Sequence, residues 1–265
     1  MNKIFIGMYP NKLFTLSEAG RIIKDYQVCR NNINRLARQK FIVRLKAGIY
    51  YIKPLDNPEF YPDLIHIASK LRPDAVICAN SALKVMKLTS TPESVYYICS
   101  KHPSKLRIDK HTYKIIKNFN FGTDKTEYMT SYGKFEIKIT DIERTILDCI
   151  RTRSLKAEEL ISILRNKPVE INIKKMQLYL EKYDMPILYN KAGMILDVCK
   201  QNLKIDEAEL EKIRKKLSKK IYYYKERGIK LIRPRYYYYK EWNIMIPEHQ
   251  YDLIKSLKPA IVAQT

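Results

Sequence analysis

LFTLSEAGRIIKDYQVCRNNINRLARQKFIVRLKAGIYYI, residues 13–52, is the stretch whose periodicity decides the fold of the N-terminal part. Its first half has helical spacing. Phe14, Leu16, Ala19, Ile22 and Ile23 recur three or four residues apart and form one apolar stripe within a helical region read over residues 13–39. Thr15 or Ser17 can cap this helix, and Glu18 stands three residues after Thr15, the spacing of a capping box. Asp25-Tyr26-Gln27 is a short polar break, after which a second helix is expected over Val28 to Gln39 with Cys29, Ile33, Leu36 and Ala37 buried. The period then changes. Phe41, Val43 and Leu45 alternate with Ile42, Arg44 and Lys46. Lys46-Ala47-Gly48 suits a tight turn, and Ile49 to Ile52 returns as a β-branched and aromatic strand. Two helices followed by a basic hairpin lead us to expect a winged helix-turn-helix.

The second helix carries the chemistry. Arg30, Asn34 and Arg38 are spaced i, i+4, i+8, and Asn31 and Arg35 lie one position further round. They share a broad polar face opposite Ile33, Leu36 and Ala37. Arg and Asn suit bidentate contacts with guanine and adenine edges, and no acid on this face repels phosphate. Arg44 and Lys46 stand near the expected hairpin tip, within reach of phosphate or the minor groove. Any one of these side chains alone is ordinarily just solvated. Their order and spacing point to double-stranded DNA, with the five helical residues in the major groove and the two hairpin cations on the backbone.

The bulk composition agrees. The 265 residues carry 50 Lys and Arg against 28 Asp and Glu, a formal charge of +22. Such an excess favours a polyanionic partner. No run approaches the roughly 18 apolar residues of a membrane span, and residues 1–10 lack the apolar segment of a signal peptide. Cys29, Cys78, Cys99, Cys149 and Cys199 are odd in number and form no C-x-x-C, so buried free thiols in a reducing, cytoplasmic setting are expected.

Beyond residue 52, Pro54, Asn57, Pro58 and Pro62 make a breaker-rich linker. The middle of the chain mixes helix (64–71, 81–88, 142–151) with strand (94–100, 113–119, 135–139), and helices are read over 155–164, 173–183, 192–201 and 206–224. The expected fold class is α+β, with the winged helix-turn-helix over 1–56, a mixed α/β middle domain over 57–165 and a mainly helical C-terminal region over 166–265.

Several segments resemble, in serial order, the AbiEi-type antitoxins of type IV toxin-antitoxin systems and related winged-helix regulators. They are Phe14 to Ala19, Asn32 to Leu36, Ile42 to Tyr50, Pro73 to Val76 with Ser81-Ala82-Leu83, a T-x-x-E-R-T-x-x-D pattern over Thr140 to Asp148, and Ala192 to Asp197. Together they span roughly residues 13–200, and the tail beyond is unlike the family. The resemblance implies an antitoxin that binds operator repeats, represses its own operon and counters a nucleotidyltransferase-like toxin. Symmetric operators imply a homodimer or paired monomers.

Other readings have less behind them. No G-x-x-x-x-G-K-[ST], G-x-G-x-x-G, H-E-x-x-H or G-x-S-x-G occurs, and His66, His102, His111 and His249 lack metal-ligand spacing. No cofactor or metal is therefore expected, and the chain reads as a non-enzyme. Glu136-Ile137-Lys138 resembles half of a metal-dependent nuclease core, with Asp124 or Asp109 as the upstream acid. Glu and Lys also alternate routinely on exposed strands. Tyr236 to Tyr239, flanked by Arg233, Arg235 and Lys240, can stack bases but equally suits packing or self-association. A partner-binding scaffold without a specific DNA site is the third reading. The polar faces of the 142–151 helix are expected to carry Glu143 and Asp148, with Arg144 in an intramolecular ion pair.

Overall fold

A computed structural model describes residues 2–92, 94–224 and 235–257 as a mixed α and β protein. It divides into two compact units, Met1–Val85 with Thr91–Thr140, and Met86–Ser90 with Asp141–Thr265. This division differs from the expected one. The linker near residue 56 falls inside the first unit, and the expected boundary at 165 falls at the end of a helix inside the second.

The first unit opens with α1 (Lys3–Met8), β1 (Leu13–Thr15), α2 (Leu16–Ile22), α3 (Tyr26–Arg38), β2 (Ile42–Lys46) and β3 (Ile49–Ile52). Residues 13–15 are strand, not helix, because β1 pairs antiparallel with β3 through Leu13↔Tyr51 and Thr15↔Ile49. The sheet order is β1-β3-β2. Thr15 is the cap of α2 with both halves of the capping box formed: Thr15 Oγ1 accepts from Glu18 N at 3.2 Å, and Glu18 Oε2 accepts from Thr15 N at 2.7 Å. Helix α1 was not read from the sequence. Asn2 caps it, and Ile4 and Met8 join Phe14, Ala19, Cys29, Ile33, Leu36, Ile42, Tyr50 and Ile52 in one buried cluster. Burying each large aliphatic side chain of that cluster contributes about 1.5–3 kcal/mol.

The same unit continues through α4 (Leu64–Lys70), β4 (Val76–Ile77), α5 (Ala79–Val85), β5 (Val95–Ser100), β6 (Ser104–Ile108), β7 (His111–Lys117), β8 (Thr123–Thr130) and β9 (Gly133–Thr140). The strands form one sheet of order β6-β7-β5-β4-β9-β8. Strands β4, β6 and β8 were not read from the sequence; β4 has only two residues, and β6 and β8 are largely exposed, so neither length nor apolar alternation marks them. The Lys70 ammonium bonds the Glu18 carboxylate and so joins α4 to α2. Glu18 is held below the ordinary carboxylate pKa: burial pushes it up, but Lys70 and the Thr15 N–H and hydroxyl outweigh that.

The second unit contains α6 (Ile142–Thr152), α7 (Ala157–Asn166), α8 (Ile173–Tyr183), α9 (Pro186–Cys199), α10 (Glu207–Arg214), β10 (Tyr222–Tyr223), β11 (Tyr236–Tyr239), β12 (Ile244–Pro247) and α11 (Glu248–Leu257). Helix α9 starts at Pro186, where the missing N–H costs nothing, and is buried from Leu188 to Cys199. The helix expected over 206–224 ends at Arg214, and Tyr222 and Tyr223 pair instead with Ile244 and Met245. The Trp242 indole packs on Gly193 of α9 and donates from Nε1 to Asp197 at 3.1 Å.

Two outcomes follow for stability. A Cβ at Gly193 would lie 2.0 Å from Trp242 Cζ3, and the indole is fully buried. Gly193→Ala is expected to destabilise the second unit by about 3 kcal/mol, read from its urea midpoint. Glu18→Gln is expected to cost about 1 kcal/mol at neutral pH. Because the folded-state pKa of Glu18 is depressed, that difference is complete above the ordinary carboxylate pKa. It closes as pH falls through the depressed value, which denaturation at stepped pH will register.

Candidate nucleic-acid interface

Asp25 starts α3. Its Oδ1 accepts from Val28 N at 2.8 Å, and the helix begins at Tyr26, two residues before the expected start. Cys29, Ile33 and Leu36 are buried as expected, and Ala37 is half-buried. Arg30, Asn31, Asn34, Arg35 and Arg38 are all exposed, so the structure brings the five predicted residues together on the outer side of one helix. The earlier start adds Gln27 to this face, where its Nε2 donates to Asn31 Oδ1 at 3.2 Å. Tyr26 and Val28 are also exposed, at 61% and 46%, and place apolar surface beside the first-turn amides.

Arg35 occupies one edge of the face. Its Nη2 donates to Asn32 Oδ1 at 2.9 Å, and the same oxygen accepts from Asn2 Nδ2 at 2.8 Å. Asn2 and Asn32 are thus positioning residues that the sequence reading missed. Their signal is a contact across 30 positions, which helical periodicity does not register.

The β2–β3 hairpin separates the two predicted cations. Arg44 is exposed on β2 opposite Tyr50. A register shift lies between Arg44 and Lys46, and Lys46 is half-buried. Its pKa is lowered, first by burial and then by the neighbouring Arg72 charge. Lys46 is the last residue of β2, directly before the turn, and is half-buried there. Residues 1–56 carry eleven Lys and Arg against Glu18, Asp25 and Asp56. Glu18 is engaged by Lys70, and Asp25 caps α3. The region is net cationic, and the outer face of α3 exposes guanidinium and amide groups, able to pair with phosphate and with base edges.

The nuclease-like residues are arranged otherwise. The β8–β9 register pairs Lys125 with Lys138 and Glu127 with Glu136, on the exposed face, and Asp124 with Ile139, on the face where Ile137 and Ile139 are buried. Alternation thus separates Asp124 from Glu136 and Lys138. Glu136 Oε1 is bonded by Lys125 Nζ at 2.8 Å, and Asp109 accepts from the Tyr61 hydroxyl at 2.8 Å.

The T-x-x-E-R-T-x-x-D segment holds buried charge. Glu143 and Asp148, expected on polar faces, are buried because other charged and polar groups compensate them. Arg144 pairs with Asp148 one turn along the same helix at 3.5 Å, Asp148 also accepts from Tyr183 Oη at 2.8 Å, and Glu143 accepts from Asn172 N at 2.8 Å. Lys175 bridges Glu143 and Asp141 at 3.2 and 3.1 Å. Tyr179, whose hydroxyl is pushed up to about 12 by burial and by Asp141, completes the set. These groups tie α6 to α8. In the run Tyr236 to Tyr239, Tyr239 is buried with its hydroxyl on Asp197, and Tyr237 stacks on Tyr251 at 4.9 Å, while Tyr237 and Tyr238 remain exposed. Arg233 lies outside the described residues.

All five cysteines are buried, and none is in a disulfide. Among the described residues no helix is long and apolar enough to cross a membrane.

No protein-family model matches the chain, and no curated protein matches it.

The hairpin turn offers a direct check on this surface. Gly48 sits at φ +80° with open space around a would-be Cβ, so only backbone conformation opposes a side chain. Asn tolerates this region far better than a β-branched residue. Gly48→Asn is expected to leave the urea midpoint within about 1 kcal/mol of wild type, and Gly48→Val to cost clearly more.

Proposed function

We propose that the chain is a DNA-binding transcriptional repressor that contacts its operator through an N-terminal winged helix-turn-helix. The observation that carries the proposal is the acid-free outer face of α3. Arg30, Asn31, Asn34, Arg35 and Arg38 are exposed together there, followed by a hairpin with Arg44 on its outer surface. The element order α1–β1–α2–α3–β2–β3 supports the winged-helix reading, with α3 as the major-groove helix and β2–β3 as the wing. Arg30, Asn31, Asn34, Arg35 and Arg38 would read base edges, and Arg44 and Lys46 would hold phosphate. In a helix-turn-helix the N-terminal residues of the reading helix approach the bases, so Gln27 joins the set.

The antitoxin part of the proposal rests on the serial resemblance to AbiEi-type proteins. On that reading the protein works in the cytoplasm, binds operator repeats as a homodimer or as paired monomers, represses its own operon and counteracts a nucleotidyltransferase-like toxin. No catalytic group, cofactor or metal is assigned. A partner for the second unit would be the cognate toxin, encoded beside it.

Fluorescence anisotropy on the protein's own upstream duplex and on scrambled duplex, across a salt series, tests the reading. The upstream duplex is expected to bind more tightly. Arg30→Ala with Asn34→Ala is expected to weaken it on the order of 10²-fold, since each good bidentate base contact contributes about 1–3 kcal/mol. Arg44→Ala should weaken both duplexes alike and lower the salt slope by about 1. Equal, steeply salt-dependent binding to both duplexes, unchanged by the helix substitutions, would mean a general phosphate-binding surface and would sink the repressor reading.

A further inference from the structure

Beside the outer face of α3 lies a cleft of about 640 Å³, inside the first unit. Its apolar wall is Phe5, Leu36, Phe41 and Leu55. Phe5 and Phe41 meet edge to face, with ring centroids 5.6 Å apart, and Leu55 is 81% exposed. Asn2, Gln39 and Arg35 supply the polar lining, and Arg35 is its one charged group. This is the composition of a small-molecule site: a volume within the roughly 300–1,000 Å³ of ligand pockets, mostly apolar walls, and a few convergent polar groups.

The guanidinium decides the ligand's charge. Arg35 forms no ion pair with any described residue, and one of its N–H groups is committed to Asn32. The remaining donors of its planar fork match a carboxylate. The bond to Asn32, itself braced by Asn2, holds the head group at the rim of the cleft. The two amides can complement the second carboxylate oxygen. An aromatic or short-chain body would lie along Phe5, Phe41 and Leu55, covering apolar surface now open to water.

We propose that this cleft binds a small amphipathic carboxylate, and that the bound anion lowers affinity for DNA. The second half rests on the operator-binding reading of α3. Arg35 belongs to the cleft and to the edge of the DNA-facing surface at once. A carboxylate on it removes one positive charge and sets a negative group beside the phosphates. The coupling is reciprocal, so DNA must equally oppose the ligand.

The test uses the full chain with 2-naphthoate, and its uncharged amide, 2-naphthamide, as the matched control. Calorimetry without DNA is expected to show saturable naphthoate binding at least tenfold tighter than naphthamide. Arg35→Gln should erase that preference. Phe41→Ala, and Gln39→Trp, which fills the cleft from its edge, should weaken naphthoate binding tenfold or more, with unchanged thermal melts confirming that both variants fold. Equal binding of the two probes, no binding, or indifference to all three substitutions overturns the cleft. Anisotropy then reads the coupling. Saturating naphthoate should weaken upstream-duplex binding several-fold in wild type and leave Phe41→Ala unmoved. Naphthoate binding with unaltered DNA affinity overturns the coupling. Failure of the unliganded protein to prefer its upstream duplex would instead overturn the operator-binding reading, while the calorimetry still judges the cleft.

Discussion

The carboxylate of Glu18 sets the frame on which the N-terminal region depends. One group does two tasks. It closes the capping box on Thr15 at the start of α2, and it receives the Lys70 ammonium from α4. The first fixes where α2 begins and therefore which of its faces carries Ala19 into the core. The second ties the opening elements to the segment that follows the proline-rich stretch. The Lys70 charge and the Thr15 hydrogen bonds outweigh burial, which is why the acid stays ionised.

With α2 placed, α3 has one way to bury Cys29, Ile33 and Leu36. That single choice turns Arg30, Asn31, Asn34 and Arg38 outward. The face is therefore a consequence of core packing on the other side of the same helix. Its freedom from acids is a matter of sequence, but its exposure follows from the cluster formed by Ile4, Phe14, Tyr50 and Ile52 beneath it. The cleft follows from the same packing, since Phe5 on α1 and Phe41 before β2 stand next to one edge of α3.

In the second unit buried charge is handled by mutual compensation. Asp141, Glu143, Arg144 and Asp148 would each be costly alone in a low-dielectric interior. Lys175, Tyr179, Tyr183 and Arg151 answer them across α6 and α8. Asp197 plays a comparable part around Trp242 and Tyr239. Breaking one member of such a set leaves the others unpaired, so these groups define a unique packing more than they add stability.

The local features were legible from the residues themselves. The capping box at Thr15, the stripe of Cys29, Ile33 and Leu36 and the turn at Gly48 each depend on side chains within a few positions of one another, and periodicity records such relations directly. Tertiary structure alone decided the rest. Strand β1 exists because β3 pairs with it, and the two-residue β4 has too little length to announce itself. Lys46 at the end of β2 is half-buried while Arg44, two residues earlier, is exposed. Asp124 parts from Glu136 because the β8–β9 register puts them on opposite faces. Arg35 comes to line one cleft with Asn2, Phe5 and Leu55 only after the chain has folded back on α3. The sequence by itself determined which helix presents an acid-free basic face, because that is a property of neighbours along one helix. Which charges are buried, which are paired and which remain open to a ligand are properties of residues far apart in the chain, and only packing brings those together.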